Sequence, residues 1–134
     1  MLYSGECWPI KKAQVKKLLV AEMRMLRWIC EHSLRDKVKN DVIRSKVGVV
    51  SIEDKLREVR LRWFGHVKRK KPEVPVRRCE KIVLGASMGG RGRGRPRKSW
   101  EEIIRQDLAI LQLTEEMALD RNKWRSRIRV NESV

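Results

Sequence analysis

Negative charge is the minority sign in this 134-residue chain: 17 Asp and Glu stand against 33 Lys and Arg, a formal net charge of +16. Such an excess opposes compaction through self-repulsion, and it is an electrostatic footprint for a polyanion: DNA, RNA or an anionic membrane. Cysteine is scarce. Cys7, Cys30 and Cys79 are too few and too scattered for a disulfide framework. No apolar run approaches the length of a membrane span. Met1 leads into Leu-Tyr-Ser-Gly-Glu-Cys, without the charged and apolar regions of a signal peptide. An intracellular, reducing compartment is expected, and the positive charge favours the nucleus within it. Hydrophobic residues make up 41%, slightly under the globular norm, which allows a modest core. Tryptophan and branched aliphatics recur at regular spacing, which argues against full disorder.

What is present is helical in period. Over residues 11–31, Val15, Leu19, Met23, Leu26 and Cys30 share one face, and Met25, Trp28 and Ile29 widen it. Lys11, Lys12, Lys16 and Lys17 stand near its start, against the helix dipole. Residues 34–47 read as one or two short helices, with Asn40 as a cap, Val42, Ile43 and Val47 facing inward and Gly48 as terminator. Residues 52–69 carry the cleanest signal. Ser51 is the expected N-cap, Glu53 and Asp54 suit the first turn, and His66, Lys68 and Arg69 suit the last. Ile52, Leu56, Val59, Trp63 and Val67 form the stripe, with Arg57, Arg60 and Arg62 off it. Residues 41–57 faintly resemble a helix-turn-helix, but Asp54 and Arg57 fall where its second helix should be buried. Ser99 and Glu102 make a capping box for a helix over 100–112, with Trp100, Ile104, Leu108 and Leu111 as its stripe. Thr114 caps a turn over Glu115 to Leu119, and Asp120 caps a last helix with Trp124 and Ile128.

The break lies at residues 70–98. Pro72, Pro75 and Pro96 exclude a continuous helix, and the stretch Val76 to Leu84 fits a short helix or a strand. From Lys68 to Lys98 there are twelve bases and two acids, a net ten positive charges, most of the chain's excess. Its centre, Arg91-Gly92-Arg93-Gly94-Arg95-Pro96-Arg97-Lys98, has no carboxylate. Gly92 and Gly94 let the backbone approach a surface closely, and Pro96 discourages helix and sheet. A flat cationic strip suits a narrow groove of negative potential. The core Arg93-Gly94-Arg95-Pro96 resembles the AT-hook, which lays two arginines along the minor groove of A·T-rich DNA. The candidate nucleic-acid contacts are Arg91, Arg93, Gly94, Arg95, Pro96, Arg97 and Lys98, extended by Lys68, Arg69, Lys70 and Lys71. The bland alternative is a basic, flexible linker. Arg60 and Arg62, beside Trp63, suit either phosphate contact or a solvated face. Trp28, Trp63, Trp100 and Trp124 read as core residues, buried in the chain or against a partner; stacking on unpaired bases is the alternative.

Metal and nucleophilic chemistry find little support. Cys30 and His32 are too close, and His66 and Cys79 too far apart, for paired zinc ligands. Two histidines and no nucleophile-elbow spacing argue against a hydrolytic triad. Glu101-Glu102 and Glu115-Glu116 stand in first turns, where the helix dipole favours acids. The basic stretch lacks interleaved large apolar residues, which ranks a membrane surface last. No cofactor, metal or small-molecule substrate is expected.

Five ordered blocks carry a family resemblance. Leu2-Tyr3-Ser4-Gly5-Glu6-Cys7-Trp8 resembles the segment closing the reverse-transcriptase region of plant non-LTR (LINE-type) retrotransposon polyproteins. Met23-Arg24-Met25-Leu26-Arg27-Trp28, Arg60-Leu61-Arg62-Trp63-Phe64-Gly65-His66-Val67, Arg91-Gly92-Arg93-Gly94-Arg95-Pro96 and Leu119-Asp120-Arg121-Asn122-Lys123-Trp124-Arg125 resemble the blocks that follow, in the same order. The resemblance implies an RNA-directed DNA polymerase as parent, of which this chain is the part after the palm, with Met1 marking a truncated reading frame of a decayed element. The parent chemistry needs paired aspartates holding divalent metal. Asp36, Asp41, Asp54, Asp107 and Asp120 are each isolated, so no catalytic residue carries over.

The expected fold class is all-α: short helices in two parts joined by a basic, Gly/Pro-rich flexible hinge. Residues 1–70 form a helical, thumb-like segment, 71–98 the linker with the AT-hook-like motif and 99–134 a C-terminal helical segment. The expected function is non-catalytic binding of DNA or RNA. The alternative is an inert structural remnant that once packed on an upstream reverse-transcriptase domain.

Overall fold

A computed structural model describes residues 10–79 and 99–130, and among them every regular element is helical. Helix α1 spans Lys12–Ile29, and a 3-10 turn follows at Leu34–Asp36. Helices α2 (Asn40–Val47) and α3 (Ile52–Lys68) come next. After the basic stretch come α4 (Trp100–Ile110), a 3-10 turn at Glu115–Leu119 and α5 (Arg121–Ile128). Residues 75–79 are helical too, so the stretch left open between helix and strand begins as helix; residues 80–84 lie outside the described residues. The chain clusters into two compact units. One runs to Val59 and takes in Arg129 and Val130; the other runs from Arg60 to Ile128.

In the first unit, Met23 and Leu26 of α1 bury against Ile43 of α2, with Cys30, Val38 and Val47 packed around them. Glu22 is the polar hub. Its carboxylate accepts from Arg44 Nη2 at 3.0 Å and from Ile52 N at 3.1 Å. One buried acid thus ties α1 to α2 and satisfies an orphan amide in the first turn of α3. Ser51 caps α3 as expected, its Oγ accepting from Glu53 N at 3.3 Å. Gly48 ends α2 at φ 72°, ψ 24°, the left-handed conformation glycine adopts without strain.

Three expectations are corrected in this unit. Asn40 does not cap α2; it is the first helical residue, and its Oδ1 accepts from Arg27 Nη2 at 2.9 Å. Val42 is 56% exposed, because α2 is only two turns long and Ile43 and Val47 take its single contact face. Met25, Trp28 and Ile29 are exposed rather than part of a wider apolar face. The α1 lysines do stand near its start, with no acid in the first turn; a cation in that turn is unfavourable by about 0.3–1 kcal/mol, an effect that falls on Lys11 and Lys12 and fades by Lys16 and Lys17.

In the second unit, Leu61 and Phe64 of α3 bury against Ile104, Leu108, Leu113, Ala118, Trp124 and Ile128, with Trp100 and Leu111 packed alongside. Trp124 Nε1 donates to the Leu61 carbonyl at 2.9 Å, and its ring tilts against Phe64 with centroids 6.0 Å apart. This close approach explains Gly65 in mid-helix: a Cβ there would lie 2.7 Å from Trp124 Cδ1 and 2.9 Å from Arg69 Nη1. Two of the three expected caps are in place, while Thr114 holds the N-cap position of the 3-10 turn at Glu115–Leu119 without a side-chain cap hydrogen bond. Ser99 Oγ accepts from Glu102 N at 3.2 Å, and Asp120 Oδ1 accepts from Asn122 N at 3.1 Å and Lys123 N at 3.2 Å.

Arg60 corrects the expected α3 stripe. It does not stand off the apolar face but is 8% exposed, donating to both carboxylate oxygens of Asp107. The buried side of α3 here is Arg60, Leu61, Phe64 and Val67, rotated from the expected Val59–Trp63 line, and Trp63 is left half-buried.

Candidate nucleic-acid interface

Of the expected contacts, Arg91, Arg93, Gly94, Arg95, Pro96, Arg97 and Lys98 lie outside the described residues. Lys68, Arg69, Lys70 and Lys71 are described, at the end of α3, and they divide into two pairs. Lys68 Nζ lies 3.2 Å from Glu115 Oε2 and 5.3 Å from the Phe64 ring centroid. Arg69 Nη1 donates to the Ala118 carbonyl at 2.6 Å. Burial, with a contribution from the nearby charge of Arg121, lowers the Arg69 pKa from its ordinary value. Both cations fasten α3 to the 3-10 turn at Glu115–Leu119. Lys70 and Lys71 are exposed and present their charge to solvent.

The acids matter as much as the bases. Glu22 pairs with Arg44 at 3.0 Å, Asp54 with Arg57 at 2.6 Å and Glu58 with Lys55 at 3.5 Å. Asp107 pairs with Arg60 at 2.8 Å, Glu115 with Lys68 at 3.2 Å and Asp120 with Lys123 at 3.6 Å. Each carboxylate answers a cation of its own unit. In a chain whose bases outnumber its acids by 33 to 17, this use of them narrows the supply that remains to neutralise the basic stretch.

The tryptophans separate. Trp124 is core, Trp100 packs at the core's edge, and Trp63 stacks on His66 with ring centroids 5.5 Å apart. Trp28 is 82% exposed, contrary to its expected burial. It stands in a groove of about 760 Å³ with Lys16, Arg24, Arg27 and Arg44. Sequence reasoning passed over this groove. Its one signal was the set of lysines at the unfavourable end of α1.

Among the described residues no three His, Cys, Asp or Glu side chains gather as a metal site, and no helix is long and apolar enough to cross a membrane. No protein-family model, curated protein or solved structure matches the chain.

Proposed function

We propose that this chain is a non-catalytic nucleic-acid-binding module, a C-terminal piece resembling that of a non-LTR retrotransposon reverse transcriptase and working in the nucleus. Two helical parts flank a basic, Gly/Pro-rich hinge. Arg91, Arg93, Arg95, Arg97 and Lys98 grip the sugar-phosphate backbone or a minor groove, with Lys70 and Lys71 continuing the contact. The supporting observation is the mismatch of charge. The chain carries +16, and acids such as Glu22, Glu58 and Asp107 are already paired inside their units. Cations in excess of acids recruit phosphate and release its counterions, which makes binding salt-dependent.

A titration of the full chain with mixed-sequence duplex DNA at several salt concentrations tests this. Affinity is expected to fall by about a thousandfold or more for a fourfold rise in salt, the loss that six or seven phosphate contacts produce. Replacing Arg93 and Arg95 with Ala should weaken binding most. An affinity indifferent to salt overturns the reading. A·T selectivity requires an A·T duplex to bind more tightly than a G·C duplex of equal length.

A specific observation favours a second reading, a structural remnant that packs on a polymerase domain. Leu34 and Leu119 are 80% and 65% exposed, an apolar burden that a partner surface would relieve. Under that reading, co-expression with an upstream polymerase region yields a soluble complex and a sharp thermal transition that the chain alone lacks.

A further inference from the structure

We propose that the groove along α1 binds single-stranded nucleic acid. Trp28 is the platform on which an unpaired base stacks, and Lys16 and Arg24 hold the adjoining phosphates. This deepens the nucleic-acid reading above but stands on different residues, none of them in the basic stretch.

The geometry comes from helical spacing. Lys16, Val20, Arg24 and Trp28 recur every four residues, so they stand along one side of α1, about 6 Å apart. The Trp28 groove adjoins a second concavity of about 710 Å³, and the two share Lys16, Val20 and Arg24. The result is a track along the helix with an aromatic ring at one end and cations beside it. Arg27 and Arg44 form the wall near Trp28. Arg27 Nη2 is held by the Val38 carbonyl and Asn40, which fixes the guanidinium in place. Arg27 Nη1 and Arg44 Nε are buried without a hydrogen-bond acceptor in the protein, so although Glu22 balances the Arg44 charge, that wall keeps donors that a ligand oxygen could satisfy.

Charge selects the occupant. Helix α1 carries Lys12, Lys16, Lys17, Arg24 and Arg27 against a single acid, Glu22, whose carboxylate is engaged by Arg44 and Ile52 N. Among the described residues, Glu53 is the one carboxylate on the groove's lining. An apolar protein surface would satisfy Trp28 but leave these cations facing nothing. A polyphosphate chain that also offers flat aromatic faces satisfies both. The faces must be unpaired, because in a duplex they are covered by neighbouring base pairs. Lys16 and Lys17, which line these concavities, then have a role that helix stability does not give them.

The test uses the full chain, with oligo(dT), oligo(U) and a mixed-sequence duplex, each about 12 nucleotides or base pairs long. Single strands should quench indole emission in the wild type. In Trp28→Ala most of that quench should vanish and single-strand affinity should fall by about 5- to 100-fold, the loss typical of one stacked base. Trp28→Phe should retain most of the affinity. Arg24→Ala should reduce the single-strand salt slope by about 0.7, and duplex affinity should hold within about twofold in all three variants. Weakening on either strand type supports the proposal, and the larger effect names the preferred sugar. Single-strand binding unchanged in Trp28→Ala overturns it and leaves Trp28 as a docking residue for a protein. Equal losses on single strand and duplex overturn it as well. If Arg93→Ala/Arg95→Ala leaves duplex binding intact while Trp28→Ala weakens single-strand binding, the reading of the basic stretch falls and this one stands; the converse result sinks only this one.

Discussion

Arg60 and Asp107, 47 residues apart in sequence, meet through two hydrogen bonds, Nε to Oδ2 at 2.8 Å and Nη2 to Oδ1 at 3.1 Å. Both side chains are buried, and together they join α3 to α4 inside the second unit. A buried pair of this kind gains little over a well-packed apolar pair, yet losing one partner strands a charge. Asp107→Asn should therefore destabilise the unit by about 3–5 kcal/mol, read by urea unfolding. The double variant Arg60→Met/Asp107→Leu should lose much less. If Asp107→Asn unfolds at the wild-type midpoint, the pair is not the clamp described here.

Gly65 and Trp124 make the next case. In an open helix, glycine to alanine gains about 1 kcal/mol. Here the new methyl would press on the indole and on Arg69 Nη1, and overpacking costs about 1–3 kcal/mol. Gly65→Ala is expected to lower the melting temperature, the opposite of its sign at an unhindered site. The penalty should shrink in a Trp124→Phe background, so that a double-mutant cycle shows coupling between the two positions. Additive effects would mean that the indole is not what excludes the side chain.

Asp120 gives the protein part of its acid sensitivity. The backbone N–H of Lys123, with that of Asn122, holds its carboxyl below the ordinary aspartate range. A depressed folded-state pKa means stabilisation that is complete above the unfolded value and lost as pH falls through the folded one. The thermal midpoint should thus decline on acidification into and below the normal carboxylate range. Asp120→Asn should flatten that decline while lowering the midpoint at neutral pH. A variant whose acid profile overlays the wild type would remove Asp120 from the account.

The features legible in the sequence were those set within one turn of chain. Ser51, Gly48, Ser99 and Asp120 act on amides or carbonyls two to four residues away, so their types alone announce the caps. The helices they bound followed from apolar spacing. What escaped was set by distant partners. Nothing near Arg60 indicates that Asp107 will receive it, and so the expected stripe of α3 holds at Leu56 and Val67 but misses its middle, where Phe64 rather than Trp63 is buried. Glu22 carries no local mark of its burial, because its two donors belong to α2 and α3. Trp28 has the type of a core residue and the position of a surface one. Periodicity cannot separate those when the opposite face of α1 already fills the small core with Met23 and Leu26.

The run Lys68-Arg69-Lys70-Lys71 shows the same limit at the candidate site, and it yields a clean separation of roles. As a string it is four equivalent charges. In the structure Lys68 reaches Glu115 and Arg69 reaches the Ala118 carbonyl, while Lys70 and Lys71 point to solvent. Lys70→Ala/Lys71→Ala should weaken duplex binding and lower the salt slope by up to about 1.8, since each phosphate contact contributes about 0.9. Its melting temperature should stay within a degree or so of the wild type, as surface substitutions remote from packing generally do. Arg69→Ala should do the reverse in stability. The Ala118 carbonyl loses a charged donor, which costs about 1–3 kcal/mol, and the 3-10 turn that carries Ala118 into the core loosens. Duplex affinity of the folded Arg69→Ala fraction should change little. Were Lys70→Ala/Lys71→Ala to melt early and bind normally, those two lysines would be structural, and the contact would have to begin further along the basic stretch.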